Sequence, residues 1–145
     1  MVMISCGNWQ DQIKEDVAMR EKLATLIKQP QDTIDLSNSF LNEFDTLYIF
    51  PPYYLIGDIE IETGFNLEEF KLSNKSKDLA DVDENSNLLL FRRRGALTKY
   101  FLFPRVNGDF SKATKHLYLP SESVFVKTSS TDSGSTWLYL IDVKR

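Results

Sequence analysis

Side chains that commonly carry out catalysis are scarce in this sequence, which has one histidine and one cysteine. His116 lies far along the chain from Cys6, and no Gly-x-Ser-x-Gly elbow is present to hold a serine nucleophile. Zinc sites combine several cysteines and histidines, so one of each does not make a site. We therefore expect no enzyme, no catalytic residue, no metal and no cofactor, and we interpret His116 as a surface residue.

A stretch rich in aspartate and asparagine, residues 81–87, is comparable with a calcium-binding loop. Its first, third and fifth positions match the pattern of oxygen ligands. Ser86 stands where that loop needs glycine, and Arg92 stands where it needs a bidentate glutamate. The stretch is therefore predicted to be a solvated loop.

The single cysteine has a more specific context. Cys6 follows a short apolar run that ends in Ser5, and it precedes Gly7 and then polar sequence, as in the lipobox of a bacterial lipoprotein. A full secretory signal has a basic start and an apolar core of about 7–15 residues, and only five residues precede Cys6 here. Two interpretations follow. Either the true start lies upstream and Cys6 is lipidated, or Cys6 is an ordinary cysteine near a cytosolic N-terminus.

The densest positive charge is the run Arg92, Arg93 and Arg94. Such a run can contact an anion or dock on an acidic partner surface. It can equally keep a hairpin tip soluble and protect a sheet edge from pairing. We take the three arginines as candidate partner-binding residues.

A separate stretch carries the opposite charge. Its acids are Asp58, Glu60, Glu62, Glu68 and Glu69. They form either one solvated face or a docking patch for a basic partner. We take Asp58, Glu60 and Glu62 as the candidate partner-binding residues of this stretch.

Two further carboxylates, Asp45 and Asp109, stand beside aromatic sequence. Turn or capping roles are the favoured interpretation, and the Asn-Gly-Asp-Phe-Ser run around Asp109 is typical of a turn. A deep pocket that joined Asp45 to Arg105 and Tyr53 would instead favour a site for a small ligand.

Length and composition indicate one ordinary domain. A chain of 145 residues can bury enough surface to fold without disulfides. Its net charge of −4 argues against general binding of nucleic acid, which usually needs a basic surface. Nothing after the first residues is apolar for the roughly 20 residues that a membrane-spanning helix needs. We predict a tether over residues 1–7 and a single α+β domain over residues 8–145.

The first element is predicted to be an amphipathic helix from about Asn8 to Lys28, stopped by Pro30. Apolar residues recur there with the period of a helix. The stripe consists of Trp9, Ile13, Val17, Leu23, Ala24, Leu26 and Ile27. We expect it to pack on a sheet.

The rest of the chain is predicted to be mainly strands, with a long polar loop over Asn66–Asn87. Phe44–Phe50 is expected to be a central strand that Pro51 and Pro52 end. Tyr54–Thr63 is expected to be a short helix closed by Gly64, with an edge strand as the alternative. The other predicted strands are Thr33–Leu36, Leu88–Arg92, Leu97–Phe103, Ser123–Thr128 and Thr136–Val143.

The predicted fold class is α+β. An antiparallel sheet of five or six strands carries the N-terminal helix on one face, and its other face is partly wet. Two hairpins contribute four of the strands. One turns through Arg93, Arg94 and Gly95, and the other turns through the polar residues 129–135.

The run Phe44–Tyr53, with sequence FDTLYIFPPY, resembles a segment of small uncharacterised bacterial lipoproteins. Those proteins pair an N-terminal lipobox with a Phe-Asp-x-Leu-Tyr-Ile-Phe-x-Pro-Tyr segment. Phe103–Arg105 and Gly108–Ser111 extend the likeness. The resemblance implies a lipid tether, and it implies no catalytic residue.

These observations favour a non-enzymatic binding protein of the bacterial envelope, anchored by lipid to the outer membrane and facing the periplasm. Its most concrete form is an immunity or inhibitor protein that blocks a toxin or a hydrolase. The alternatives are a small-ligand-binding or hydrolytic domain that uses carboxylates and arginines on the sheet, and a structural or assembly lipoprotein. If Met1 is the true start, the protein is cytoplasmic.

Overall fold

The computed structural model of the chain describes residues 14–67, 81–132 and 134–143. These residues form an α+β fold with two antiparallel sheets, one of four strands and one of three. The prediction of an α+β fold is confirmed, and the prediction of a single sheet of five or six strands is wrong.

Three α-helices, two short 3-10 helices and seven strands make up the described fold. The α-helices are α1 (Val17–Ile27), α2 (Leu36–Ser39) and α3 (Ile56–Thr63). The strands are β1 (Thr33–Asp35), β2 (Thr46–Phe50), β3 (Ser86–Arg93), β4 (Ala96–Pro104), β5 (Leu117–Tyr118), β6 (Val124–Asp132) and β7 (Ser135–Asp142).

The larger sheet has the order β4-β3-β2-β5, and the smaller sheet has the order β1-β6-β7. Strand β2 pairs with β3 on one side and with β5 on the other, so the predicted central strand is confirmed. The short strand β5 had not been predicted. Two residues are too few to show a period of two in sequence.

Both faces of the larger sheet are buried, so the expected wet face is wrong. Because side chains alternate along a strand, Leu47 and Ile49 enter the core shared with α1 and the smaller sheet. Tyr48 and Phe50 enter a second core beneath α3. A continuous apolar run in β2 is what burial on two sides requires.

Helix α1 begins later than the sequence pattern suggests. Asp16 is its N-cap, and its side chain accepts a hydrogen bond from the Met19 N–H at 2.9 Å. Residues 14–16 instead lie along β4, where the Glu15 carboxylate accepts from the Leu102 N–H at 2.8 Å. Residues 8–13 of the predicted helix, including Trp9 and Ile13, lie outside the described residues.

The apolar stripe of α1 is also displaced from the predicted one. Leu23, Ala24 and Ile27 are buried as expected, and Met19 joins them. Val17 is 49% exposed, so the prediction that it packs on the sheet is wrong. As the first helical residue it lies at the solvent end of the helix, where the chain leaves the edge of β4.

Two turns agree with the expected local chemistry. Helix α3 ends at Gly64, which has a left-handed φ of 77°, so the helix is confirmed and the edge-strand alternative is wrong. Strands β3 and β4 are joined through Arg94 and Gly95, with φ values of 53° and 81°. A two-residue turn with both φ values positive matches the twist of a hairpin.

The remaining boundaries differ from the predicted ones. Strands β6 and β7 continue through most of residues 129–135, which had been predicted to be a loop. Ser86 and Asn87, predicted to end the long polar loop, are the first residues of β3. Residues 68–80 of that loop lie outside the described residues.

Candidate functional site

The end of the larger sheet that carries the arginine run is held by one carboxylate. Asp45 precedes β2, and its backbone N–H donates to the Arg92 carbonyl at 2.9 Å. Its Oδ2 accepts from the Arg94 N–H in the hairpin turn at 2.7 Å. This is the turn-capping role that the sequence favoured for Asp45, and it fixes the turn against the start of β2.

We call Arg92, Arg93 and Arg94 the arginine tip. The three side chains are neighbours in sequence and do not share one surface. Arg92 lies on the same face of β3 as Leu90, above the core beneath α3, and it is half-buried. Arg93 projects from the opposite face, and Arg94 lies in the turn. Both are exposed.

Among the described residues, the side chains of the arginine tip form no ion pair, and the Asp45 carboxylate there is bonded to the backbone of the turn. None of the ion pairs in the described part of the chain includes Arg92, Arg93 or Arg94. The Nε atom of Arg92 is buried and has no hydrogen-bond acceptor. A polar atom in that state is uncommon, since buried polar groups are nearly always hydrogen-bonded.

The loop that leads from α2 to β2 presents an apolar side chain. Leu41 is 70% exposed, and it lies in the segment between α2 and β2 that leads to Asp45. Two grooves, of about 470 and 410 Å³, flank this segment. Asn38, Phe40 and Leu41 line both of them.

Hydrogen bonds and an ion pair hold this loop in place. The Asp35 carboxylate caps α2 by accepting from the Ser37 N–H at 3.0 Å. The Lys99 ammonium group on β4 lies 2.7 Å from the Glu43 carboxylate. This contact raises the pKa of Lys99. The exposed Leu41 is therefore presented by an anchored segment.

The acids of α3 do not form one patch. Glu60 turns back and accepts a hydrogen bond from the Leu67 N–H at 2.7 Å. Glu62 accepts from the Tyr54 hydroxyl and lies 3.0 Å from Nδ1 of His116. Asp58 is exposed in the first turn of the helix. Of the three candidate residues, two are engaged by other parts of the fold.

Sequence reasoning missed the cluster formed by Tyr54, Glu62 and His116. The imidazole ring of His116 lies 4.9 Å from the ring centres of both Phe50 and Tyr54. Burial disfavours ionisation of Glu62, but the hydrogen bonds from Tyr54 and His116 outweigh it and lower its pKa. The same bond to Glu62 raises the pKa of Tyr54 to about 12.

Chemically, this cluster is an imidazole oriented by a carboxylate. That arrangement serves a general base in many enzymes. Glu62 and His116 are 54 residues apart, so no local pattern in the sequence could have paired them. His116 is nonetheless one-third exposed, in keeping with the surface position expected for it.

Asp109 is the most extensively bonded carboxylate of the described residues. It is fully buried. The Arg105 guanidinium and the Trp137 indole N–H donate to its Oδ2 at 3.0 and 2.9 Å. Asn87 and Ser111 donate to its Oδ1. Burial disfavours its ionisation, but the bonds from Ser111, Arg105 and Trp137 outweigh this and lower its pKa.

This network joins the two sheets. Asn87 lies on β3 of the larger sheet, and Trp137 lies on β7 of the smaller one. The Asp109 backbone also bonds to Leu138 and Leu140 of β7, at 2.9 and 2.8 Å. A carboxylate with so many donors is stabilised as the anion and is a poor proton acceptor. Its role is structural.

The structure does not form the pocket that would have favoured a small-ligand site, because it does not bring Asp45 together with Arg105 and Tyr53. Arg105 and Tyr53 meet at Glu84, whose carbonyl accepts from Arg105 at 3.2 Å and whose carboxylate accepts from the Tyr53 hydroxyl at 2.9 Å. Asp45 lies at the other end of β2, beside the hairpin turn.

Within residues 14–67, 81–132 and 134–143, no group of three or more His, Cys, Asp or Glu side chains is placed to hold a metal ion. No helix within those ranges is long and apolar enough to cross a membrane. Cys6, Glu68 and Glu69 lie outside them. No protein-family model, curated protein or solved structure matches this chain.

Proposed function

We propose that this chain is a non-enzymatic binding protein of the bacterial envelope that acts by contact with a protein partner. In its most concrete form it is an immunity or inhibitor protein against a toxin or a hydrolase. It is lipidated at Cys6, anchored to the outer membrane and directed toward the periplasm. The likeness of Phe44–Tyr53 to a segment of small bacterial lipoproteins supports the tether.

The observation that carries the proposal is the arginine tip. Two exposed arginines, Arg93 and Arg94, stand at a hairpin turn that Asp45 holds in one geometry. Arginine is enriched at protein interfaces, and a turn whose backbone is already ordered loses little backbone entropy on binding. The exposed Leu41, in the segment that leads to Asp45, adds an apolar contact group.

The positive charge of the arginine tip determines which kind of partner surface it can bind. Guanidinium groups that form no ion pair among the described residues favour an acidic partner surface. Complementary charge mainly raises the association rate and determines partner choice. Association is therefore expected to slow as the salt concentration rises.

The test is binding with matched variants. A partner captured from periplasm is purified, and its association with the wild-type chain is measured by surface plasmon resonance. The variant Arg93→Gln/Arg94→Asn removes both exposed charges, and asparagine tolerates the positive φ of position 94. Lys28→Gln removes an exposed charge at the end of α1 and is the control.

We expect about tenfold weaker binding for the double variant, with a flatter dependence on salt, and unchanged binding for the control. The captured protein's activity should also fall when the wild-type chain is added. Unchanged binding by the double variant, or turnover of an envelope substrate by the purified chain alone, would contradict the proposal.

The tether has its own test. Mass spectrometry of the protein from its native host should find an acylated Cys6, and Cys6→Ala should move from the membrane to the soluble fraction. One acyl chain binds membranes only marginally, so the multiply acylated cysteine of a lipoprotein is expected. An unmodified Cys6 in soluble protein would contradict the proposed lipid anchor.

The cluster of Tyr54, Glu62 and His116 favours one second candidate, a hydrolytic domain. In that case His116 is the general base, and Glu62 orients it through the 3.0 Å contact. The discriminating experiment is His116→Ala. A lost biological effect in a folded variant would support hydrolysis, and a retained effect would support partner binding.

A further inference from the structure

The sequence holds one Asn-Gly pair, Asn107 and Gly108, directly before the buried Asp109. Asn107 is half-buried and is the last residue of the short 3-10 helix Arg105–Asn107, and Gly108 is buried. An asparagine that precedes glycine is chemically reactive, because glycine has no side chain to shield its backbone nitrogen from the asparagine side chain. The pair is therefore a candidate site of covalent change within the chain.

The reaction is intramolecular. The backbone nitrogen of Gly108 attacks Cγ of the Asn107 side chain, a C–N bond forms, and ammonia leaves with the proton of the attacking nitrogen. The product is a cyclic imide. Water then opens the ring at one of its two carbonyl groups and gives aspartate or isoaspartate at position 107. Water is the only co-reactant, and no group is oxidised or reduced.

The folded backbone opposes this reaction at its first step. The Gly108 N–H donates a hydrogen bond to the Arg105 carbonyl at 3.1 Å, so the attacking nitrogen is already engaged. Ring closure needs a rotation about the Cα–C bond of Asn107 that brings this nitrogen to the side-chain carbonyl. The hydrogen bond to Arg105 must break before that rotation takes place.

The residue that follows the pair restricts the rotation further. Asp109 is bonded through its side chain to Arg105 and Trp137, and through its backbone to Leu138 and Leu140 of β7. We call this set of contacts the Asp109 junction. Because Gly108 lies between Arg105 and Asp109, its nitrogen is freed only when the junction opens. Such openings are local and cost less than complete unfolding.

Packing explains why glycine occupies position 108. Gly108 has a φ of 150°, and a Cβ atom there would lie 3.0 Å from Cδ1 of Ile27 and 3.1 Å from Cδ1 of Leu140. A larger residue has neither the backbone freedom nor the space. Isoaspartate at position 107 adds a methylene to the backbone just before Gly108. The tight fit against Ile27 and Leu140 leaves no room for that longer backbone.

From these contacts we infer that Asn107 is a deamidation site that the closed Asp109 junction protects and that reacts when the junction opens. The isoaspartate product then prevents the junction from closing again. Deamidation at Asn107 thus makes some openings irreversible, and it limits how long the native state lasts. The site concerns the lifetime of the protein and is independent of its binding function.

The direct test is mass spectrometry of the full chain kept in mildly alkaline buffer, with and without concentrated urea. Proteolytic peptides that contain residue 107 report the converted fraction and separate aspartate from isoaspartate. We expect conversion in the folded chain to be about tenfold or more slower than in urea. Equal rates would show that the fold gives no protection, and no conversion in urea would show that Asn107 is not a reactive site.

Variants test the link to the junction. Asp109→Asn leaves one acceptor oxygen where the carboxylate has two, so conversion at Asn107 in the folded variant should rise toward the rate in urea. Asp58→Asn, at an exposed carboxylate, is the matched control and should not change the rate. Asn107→Gln keeps an amide but places it one carbon farther from the backbone, so it should stay unmodified. A folded Asp109→Asn that converts as slowly as wild type would contradict the inference.

A second measurement uses the wild-type chain alone, so it holds even if Asp109→Asn fails to fold. The Leu140 N–H donates to the Asp109 carbonyl at 2.8 Å, and its hydrogen exchange reports opening of the junction. At urea concentrations that leave the chain folded, conversion at Asn107 should rise in parallel with this exchange. Conversion that stays constant while the exchange accelerates would rule out the junction as the protecting element.

The effect of the product is tested by thermal unfolding. Chains that carry isoaspartate at position 107 are separated from aged protein and compared with Asn107→Asp, which has the same charge and an ordinary backbone. The isoaspartate chains should melt at a lower temperature than Asn107→Asp. Equal melting temperatures would show that the fold accommodates the longer backbone, and the proposed irreversible step would be wrong.

Discussion

The carboxylate of Asp45 accepts a hydrogen bond from the backbone N–H of Arg94 at 2.7 Å, across 49 residues of chain. It connects the start of the central strand β2 to the turn of the β3–β4 hairpin. The contact matters because the turn carries the charge on which the proposed function rests. A turn held at this point keeps the backbone that carries Arg93 and Arg94 in one place.

Removing this acceptor should loosen the turn. Asp45→Ala is expected to lower the free energy of unfolding by about 1 kcal/mol, the usual contribution of one hydrogen bond at a surface. Asp45→Asn keeps an acceptor oxygen and should lose less. Denaturant unfolding measures both, and equal losses for the two variants would show that the charge and not the hydrogen bond holds the turn.

Asp109 should be far more sensitive to substitution. Asp109→Ala leaves the Arg105 guanidinium and the Trp137 indole without their acceptor. The expected loss is about 3 kcal/mol, the lower end for a broken buried pair, because Arg105 reaches solvent. Asp58→Ala, at an exposed carboxylate, is the control. Loss of the native Trp137 fluorescence should coincide with unfolding, and a loss no larger than that of the control would contradict the network.

Asp109 should also make the stability of the protein depend on pH in the acid range. The unfolded chain protonates this carboxyl near its ordinary pKa of 3.8, and the folded chain protonates it at lower pH. The stabilisation that Asp109 contributes is therefore fully present above pH 3.8, and it is lost as the pH falls through the lower pKa of the folded state. Denaturant unfolding across this range should show a shallower pH dependence for Asp109→Asn than for wild type. Parallel curves would argue against a lowered pKa.

The position of α1 predicts opposite results at two apolar residues. Leu47 is fully buried in β2, so Leu47→Ala should cost about 2–5 kcal/mol. Val17 is 49% exposed at the start of α1, so Val17→Ala should change stability by less than about 0.5 kcal/mol. Thermal unfolding measures both. A large loss of stability for Val17→Ala would show that Val17 is buried and that α1 packs through a different face.

His116 and Glu62 offer a test by titration. Removing the imidazole in His116→Ala takes away one of the two hydrogen bonds that lower the pKa of Glu62, so that pKa should rise toward its ordinary value. Carbon-13 resonances of the carboxyl group report it directly. Since both side chains are about one-third exposed, the cost in stability should stay below about 1 kcal/mol. An unchanged Glu62 titration would show that the contact is absent in solution.

Local features of the fold could be predicted from the sequence because short-range rules govern them. Pro51 and Pro52 cannot donate to a ladder, so they end β2. Gly64 and Gly95 accept a positive φ at no steric cost, so they mark the end of α3 and the hairpin turn. The continuous apolar run of β2 reflects burial on both faces, and its central place in a sheet followed from that composition.

Other features depended on partners far away in the chain. The helix pattern was misleading over residues 14–16, because these residues bond to the edge of β4 instead. The joining of the two sheets depends on contacts such as Asp109 with Trp137, 28 residues apart. Sequence periodicity reports which side of an element is buried, and it does not report which element covers that side.

The candidate site divides in the same way. The sequence by itself determined that three arginines are adjacent at a turn, since residue order and glycine placement suffice for that. Only the tertiary structure decided that Arg92 is left with a buried Nε without an acceptor, that Asp45 fixes the turn, and that His116 meets Glu62. Burial and hydrogen-bond partners arise when distant segments exclude water together, and no local pattern encodes them.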